Sequence, residues 1–249
     1  MASALLIGAL AVVGLGYAAV GSVQPAQAAV GTETQVEAGR QLYLEGCSSC
    51  HGLEAQGTGN APTLVGVGAA AVSFQVGTGR MPLAAPGAQA PGNMPTYTDE
   101  EVAALAAYIA TLAPGPAIPS AEQLDYADAD IALGGELFRI NCAQCHQAAG
   151  QGGALTQGKY APNLMESTPQ HIYEAMLTGP QSMPVFSDAQ LTVEDKQAII
   201  AYVRTLQTEA SPGGLTLGKF GPVTEGVFLA TAAFGALIAA AVWIGIKAR

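Results

Sequence analysis

The sequence predicts a mainly α-helical protein: two tandem copies of one small domain, followed by a C-terminal transmembrane helix. Three observations carry this. A set of matched residues recurs in the same order in the two halves of the chain. The four cysteines form two Cys-x-x-Cys pairs, each followed at once by a histidine. The C-terminal run Gly226–Ile246 is apolar and charge-free, and it stops abruptly at basic residues.

Composition narrows the class before any motif is weighed. Of 249 residues, 50% are hydrophobic and only 11% charged, so membrane segments are expected. A net charge of −10 lacks the basic footprint that nucleic acid requires. It leaves room for an electropositive protein partner.

At the N-terminus, Ala4–Val20 is an uncharged apolar run followed by Pro25 and the small-x-small step Ala26-Gln27-Ala28. Residues 1–28 are expected to be a secretory signal cleaved after Ala28, with an uncleaved anchor as the alternative. The usual basic start is missing, since no Lys or Arg precedes Arg40. At the other end, residues 226–246 match the roughly 20 residues a helix needs to cross a bilayer core. Trp243 sits near the end of the run, with Lys247 and Arg249 behind it. The positive-inside bias then places the C-terminus in the cytoplasm and the rest of the mature chain outside.

Between these ends lies the repeat. Domain 1 (29–113) opens with Gly39, eight residues before Cys47; domain 2 (131–210) opens with Gly134, eight before Cys142. Leu42-Tyr43 matches Leu137-Phe138 on an amphipathic helix leading into each cysteine pair. Ala61-Pro62-Thr63-Leu64 matches Ala161-Pro162-Asn163-Leu164. A Met-Pro step in a Gly-rich loop follows in each half, then a closing helix containing Ala107-Tyr108 or Ala201-Tyr202. The Pro-rich, acidic stretch 114–130 has no counterpart and reads as a linker, and 211–225 as a tether.

Cys47-Ser48-Ser49-Cys50-His51 and Cys142-Ala143-Gln144-Cys145-His146 match the signature of covalent haem attachment. Two thiols three positions apart lie on adjacent turns of a short helix, where each can form a thioether to a haem vinyl group. The next residue, His51 or His146, presents a neutral imidazole to the iron. Two covalently bound haems c are therefore expected. A redox dithiol would not need the histidine. A four-cysteine zinc site would make both histidines coincidental.

The order of helix, motif, Pro loop, Met loop and closing helix resembles class I cytochrome c. That resemblance implies that the Pro62 and Pro162 carbonyls accept the other ring nitrogen of each histidine. It also implies a Met thioether on the opposite side of each iron. Met183 is the candidate in domain 2, while Met165 and Met176 read as packing residues. In domain 1 the residues leave Met81 and Met94 open, since both precede proline. His171 reads as an exposed residue near a helix start.

More specifically, the chain resembles the dihaem cytochrome c subunit of the actinobacterial cytochrome bc complex, the bcc-type menaquinol–cytochrome c reductase. The matching stretches are Phe74 through Pro82, Gly153 through Pro162, Met176 through Pro184, and the tail from Pro212 to Gly245. In that family the Gly-Arg-Met-Pro step is a fixed feature, which favours Met81. The resemblance implies an electron-transfer subunit with no acid–base or nucleophilic site of its own. It would take electrons from the Rieske iron–sulfur subunit, beside cytochrome b, and pass them through two haems to a cytochrome aa-type oxidase in a supercomplex. The rival functions are a dihaem subunit of another dehydrogenase or oxidase, and a dihaem peroxidase.

Overall fold

The computed structural model describes residues 31–209 and 222–247. The expected signal segment lies outside the described residues, as does most of the tether. The described chain is helical apart from one two-residue strand pair, in which β1 (Gly153–Ala154) runs antiparallel to β2 (Tyr160–Ala161). Two compact units emerge. The first comprises residues 31–77 and Pro95–Ile118; the second comprises Thr78–Met94 and everything described from Pro119 onward.

In the first unit, α1 (Glu33–Gly46) starts where the Thr32 hydroxyl accepts from the Gln35 backbone N–H, satisfying a donor that the first turn would otherwise leave open. It runs into the short helix α2 (Ser48–His51), then a loop, α3 (Gly68–Gly77) and the closing helix α4 (Asp99–Leu112). A full capping box of Thr98 and Glu101 starts α4. Helices α1 and α4 cross at Gly39. A Cβ there would fall 1.9 Å from the Ala104 carbonyl oxygen, so only glycine permits the approach. Tyr43 and Tyr108 pack beside the crossing, with ring centroids 5.4 Å apart.

The second unit repeats the plan. Helix α5 (Ile131–Asn141) leads into α6 (Ala143–His146); α7 (Pro169–Thr178) and α8 (Val193–Thr208) complete it. Thr192 and Asp195 form the capping box of α8. Gly134 meets Ala198, where a Cβ would again lie 1.9 Å from the carbonyl oxygen. Phe138 and Tyr202 take the places of the two tyrosines, also at 5.4 Å. The core consists of Phe138, Ile172, Tyr173, Met176, Leu191, Ile199, Ile200 and Val203.

Two stretches are more firmly packed than their composition suggests. In 114–130, Pro116 accepts from the Ala70 N–H in the first unit. In the second unit, Gln123 donates to the Tyr173 hydroxyl and the Glu122 carbonyl accepts from Gln197. The segment Thr78–Met94 is fastened within the second unit by two side-chain amides, each bonded to both polar groups of one backbone residue. Gln89 holds Tyr160 at 2.7 and 2.8 Å, and Gln181 holds Ala90 at 2.9 and 3.1 Å.

Helix α9 (Pro222–Lys247) contains a stretch, Thr224–Lys247, long and apolar enough to cross a membrane. Its apolar side chains are exposed, and Lys247 lies over the Trp243 ring at 4.7 Å. A soluble core helix would bury that face. This one fits a membrane anchor.

Candidate functional site

Each cysteine pair sits on one helical turn placed directly after the helix that carries the crossing glycine. The Cys47 N–H bonds the Tyr43 carbonyl at 2.8 Å, and the Cys47 carbonyl accepts from Cys50 and His51 at 3.1 and 3.0 Å. In the second unit Cys142 bonds Phe138 at 2.8 Å and accepts from Cys145 and His146 at 3.1 and 2.9 Å. The two motifs therefore agree to about 0.1 Å in every one of these bonds. One local conformation has been kept twice.

The histidines are buried, and each is locked by the loop that follows. His51 Nδ1 lies 2.8 Å from the Pro62 carbonyl oxygen, and His146 Nδ1 lies 2.9 Å from that of Pro162. A carbonyl can only accept, so Nδ1 carries the proton and Nε2 keeps its lone pair. That is the tautomer an iron ligand needs. Burial also holds His146 below the usual imidazole range, opposed by the Pro162 hydrogen bond. The ring therefore stays neutral.

The loop reaches the imidazole because of a glycine in each half. Gly57 donates to the His51 carbonyl at 2.8 Å, and Gly152 to that of His146 at 2.9 Å. Both have φ in the left-handed region, +85° and +77°, and a Cβ on either would strike backbone within 2.6 Å. In each half this glycine stands six residues after the histidine. The repeat therefore contained a signal that the motif reading passed over.

No cysteine is paired in a disulfide among the described residues, and the surroundings of Cys47 and Cys142 suit a neutral sulfur. Burial raises the Cys47 thiol, with Cys50 adding to it. Burial likewise pushes Cys142 up to about 12, with Cys145 second. A redox dithiol or a zinc thiolate needs the opposite shift. A thioether carries no charge to desolvate. Among the described residues no three His, Cys, Asp or Glu side chains gather as a metal-ion cluster, which a zinc module would require. The donor set of each motif thus fits covalent haem: two cysteine sulfurs on one turn and one imidazole with an oriented lone pair.

The methionines differ in setting. Met183 is half-buried against the second unit's core, in a turn where its N–H donates to the Pro180 carbonyl at 3.1 Å. Met176 is core, 2% exposed, as its helical position predicts, and Met165 is half-buried. Met81 is half-buried within Thr78–Met94, whereas Met94 is 91% exposed. His171, expected to be exposed, is half-buried in the first turn of α7, where its backbone N–H donates to the Thr168 hydroxyl. Motif spacing missed one residue altogether: Lys196, a fully buried cation on α8.

Comparison with known proteins matches both halves. The cytochrome c family model aligns with residues 36–113. The model described as cytochrome c oxidase, cbb3-type, subunit III aligns with residues 129–203. Among whole proteins, the cytochrome bc1 complex cytochrome c subunit of Corynebacterium efficiens is 45% identical over 226 residues, covering 84% of this chain and 76% of that one. The subunit of the same name from Mycobacterium leprae is 45% identical over 253 residues, covering 98% and 87%. That from Corynebacterium diphtheriae is 43% identical over 239 residues, covering 90% and 85%.

Proposed function

Because the chain belongs to the family of cytochrome bc1 complex cytochrome c subunits, we propose that it is a membrane-anchored dihaem electron carrier. In this role it takes electrons from the Rieske iron–sulfur subunit of the complex and delivers them to a cytochrome aa-type oxidase. The observation that carries the reading is the duplicated lock: two Cys-x-x-Cys-His turns, each with its histidine held by a proline carbonyl at 2.8–2.9 Å. When bound, haem c supplies reversible one-electron chemistry at iron. The chain supplies attachment, ligation and orientation.

Cys47 and Cys50 would hold the first haem, with His51 and Met81 to ligate its iron; Cys142 and Cys145 would hold the second, with His146 and Met183. Pro62 and Pro162 keep each imidazole in its ligating tautomer and raise its basicity. A Met thioether is a soft ligand that favours ferrous iron and so raises the potential. The resemblance of the Gly-Arg-Met-Pro step to the family supports Met81 in the first domain, and Met94 is 91% exposed. Helix α9, with its basic end on the cytoplasmic side, keeps the carrier near its partners. Tethering raises its effective concentration at the acceptor, as for any linked module.

The test is Met81→Leu in the assembled complex. It should lower the potential of one haem and remove that haem's thioether–iron charge-transfer absorption, while Met94→Leu leaves both unchanged. The reverse pattern would move the ligand to Met94. Purification in mild detergent should recover the chain with cytochrome b, the Rieske subunit and the oxidase. Recovery with a soluble dehydrogenase and no cytochrome b would refute the partner assignment.

A further inference from the structure

Lys196 is fully buried in the second unit, in the first turn of α8. Its ammonium donates to Asp188 Oδ1 at 2.6 Å and to the Leu191 carbonyl at 2.8 Å, and it faces the Tyr173 ring at 5.7 Å from the centroid. Burying a charge is costly, and exchanging a buried ion pair for apolar packing is often neutral or stabilising. The first domain illustrates this. Val102 stands six residues before Tyr108, as Lys196 stands six before Tyr202, and Val102 is simply packed in the core. The duplicated fold closes without a lysine here, so folding alone does not account for it.

What Lys196 touches does. Both of its hydrogen-bond acceptors belong to the loop 179–191 that joins α7 to α8 and carries Met183. The front of that loop is tied down where the Phe186 N–H donates to the Met176 carbonyl at 2.8 Å. Its rear is a turn closed on Ser187, whose carbonyl accepts from Gln190 and Leu191 at 2.9 and 3.0 Å. Asp188 itself is 61% exposed, and Lys196 joins the buried Leu191 side chain in holding this turn on the core. Two residues further along α8, Ala198 meets Gly134 of α5, and α5 runs straight into Cys142. A continuous mechanical path thus links the rear of the Met183 loop to the haem-attachment turn.

We infer that Lys196 is a positioning residue for Met183, holding the loop at the height from which its thioether reaches the second haem iron; this rests on the axial role proposed above for Met183. The first domain, with valine at that place, has no such control. The two haems are therefore tuned by different means on one fold.

The experiment uses the full chain in its complex, with the redox titration and thioether–iron absorption of each haem as readouts. Lys196→Met and Asp188→Ala should each weaken the thioether absorption of one haem only. Lys196→Met should move that haem's ferrous–ferric equilibrium at least tenfold toward ferric, which is about 59 mV for one electron. Ile200→Val loosens the same core but keeps the Lys196–Asp188 pair, and should leave both readouts unchanged. If Lys196→Met yields no haem-loaded protein, Asp188→Ala, at an exposed side chain, decides alone. Unaltered spectra and potentials in Asp188→Ala and in any folded Lys196→Met protein would overturn the inference. Met183→Leu separates the two levels. If it removes the absorption while the loop variants keep it, the positioning role fails and the ligand stands. If it too leaves both haems unchanged, the ligand assignment itself falls.

Discussion

At the scale of single residues, the lock on each histidine depends on a glycine as much as on the proline. Gly152 holds a left-handed φ, and a Cβ there would lie 2.3 Å from the Ala161 carbonyl oxygen, a backbone atom that cannot swing aside. Gly152→Ala should destabilise the second domain by about 1–3 kcal/mol. The Pro162 carbonyl should draw away from His146, which a drop in thermal midpoint and an altered haem spectrum would register. An unchanged midpoint would show that the loop has slack. The same change at Gly57 should act on the first domain alone. While the bonds of His51 and His146 to the proline carbonyls followed from the resemblance to class I cytochrome c, the cysteine–histidine motifs were legible because they are short local patterns. Lys196 was not. Its meaning depends on a loop that folds back over eight positions to bring Asp188 within 2.6 Å, and no periodicity announces that.

Among elements, the crossing of α1 with α4 and of α5 with α8 sets the frame. Each crossing is so close that backbone meets backbone at a glycine. Gly39→Ala or Gly134→Ala should cost its domain about 3 kcal/mol, the upper end for an overpacked contact. On a domain of this size that is a fall in thermal midpoint of roughly 12–24 °C. Thr98→Ala and Thr192→Ala, which remove capping hydroxyls, should cost only about 1 kcal/mol each. Calorimetry of the four variants would separate the crossing from the caps. The repeat revealed both glycines as landmarks, and the structure supplies the steric reason. The stretch 114–130 was harder to read. Its proline and acidic composition suggests a solvated linker, yet its backbone is bonded to one unit at Pro116 and to the other at Glu122.

For the whole molecule, the duplicated plan and the terminal helix were plain from pattern alone, since both rest on long runs of matched or apolar residues. The placement of Thr78–Met94 in the second unit was not, because side-chain amides of Gln89 and Gln181 make it, and amides carry no patterned signal. Helix α9 makes the scale experimental. A chain ending at Glu209 should keep both haems and leave the membrane fraction, as haem staining of separated fractions would show. Retention in the membrane would mean that the haem domains bind the complex without their anchor.

The partial burial of Cys142 also bears on the order of events during biogenesis. Burial pushes the Cys142 thiol up to about 12 and so favours its protonated form, whereas the thiolate is the reactive one. A domain that closed first, sealing His146 beneath the Gly152 hydrogen bond, would meet its porphyrin with blunted nucleophiles. Attachment is therefore expected on the open chain of the second domain, before the Gly152 hydrogen bond closes its loop over His146.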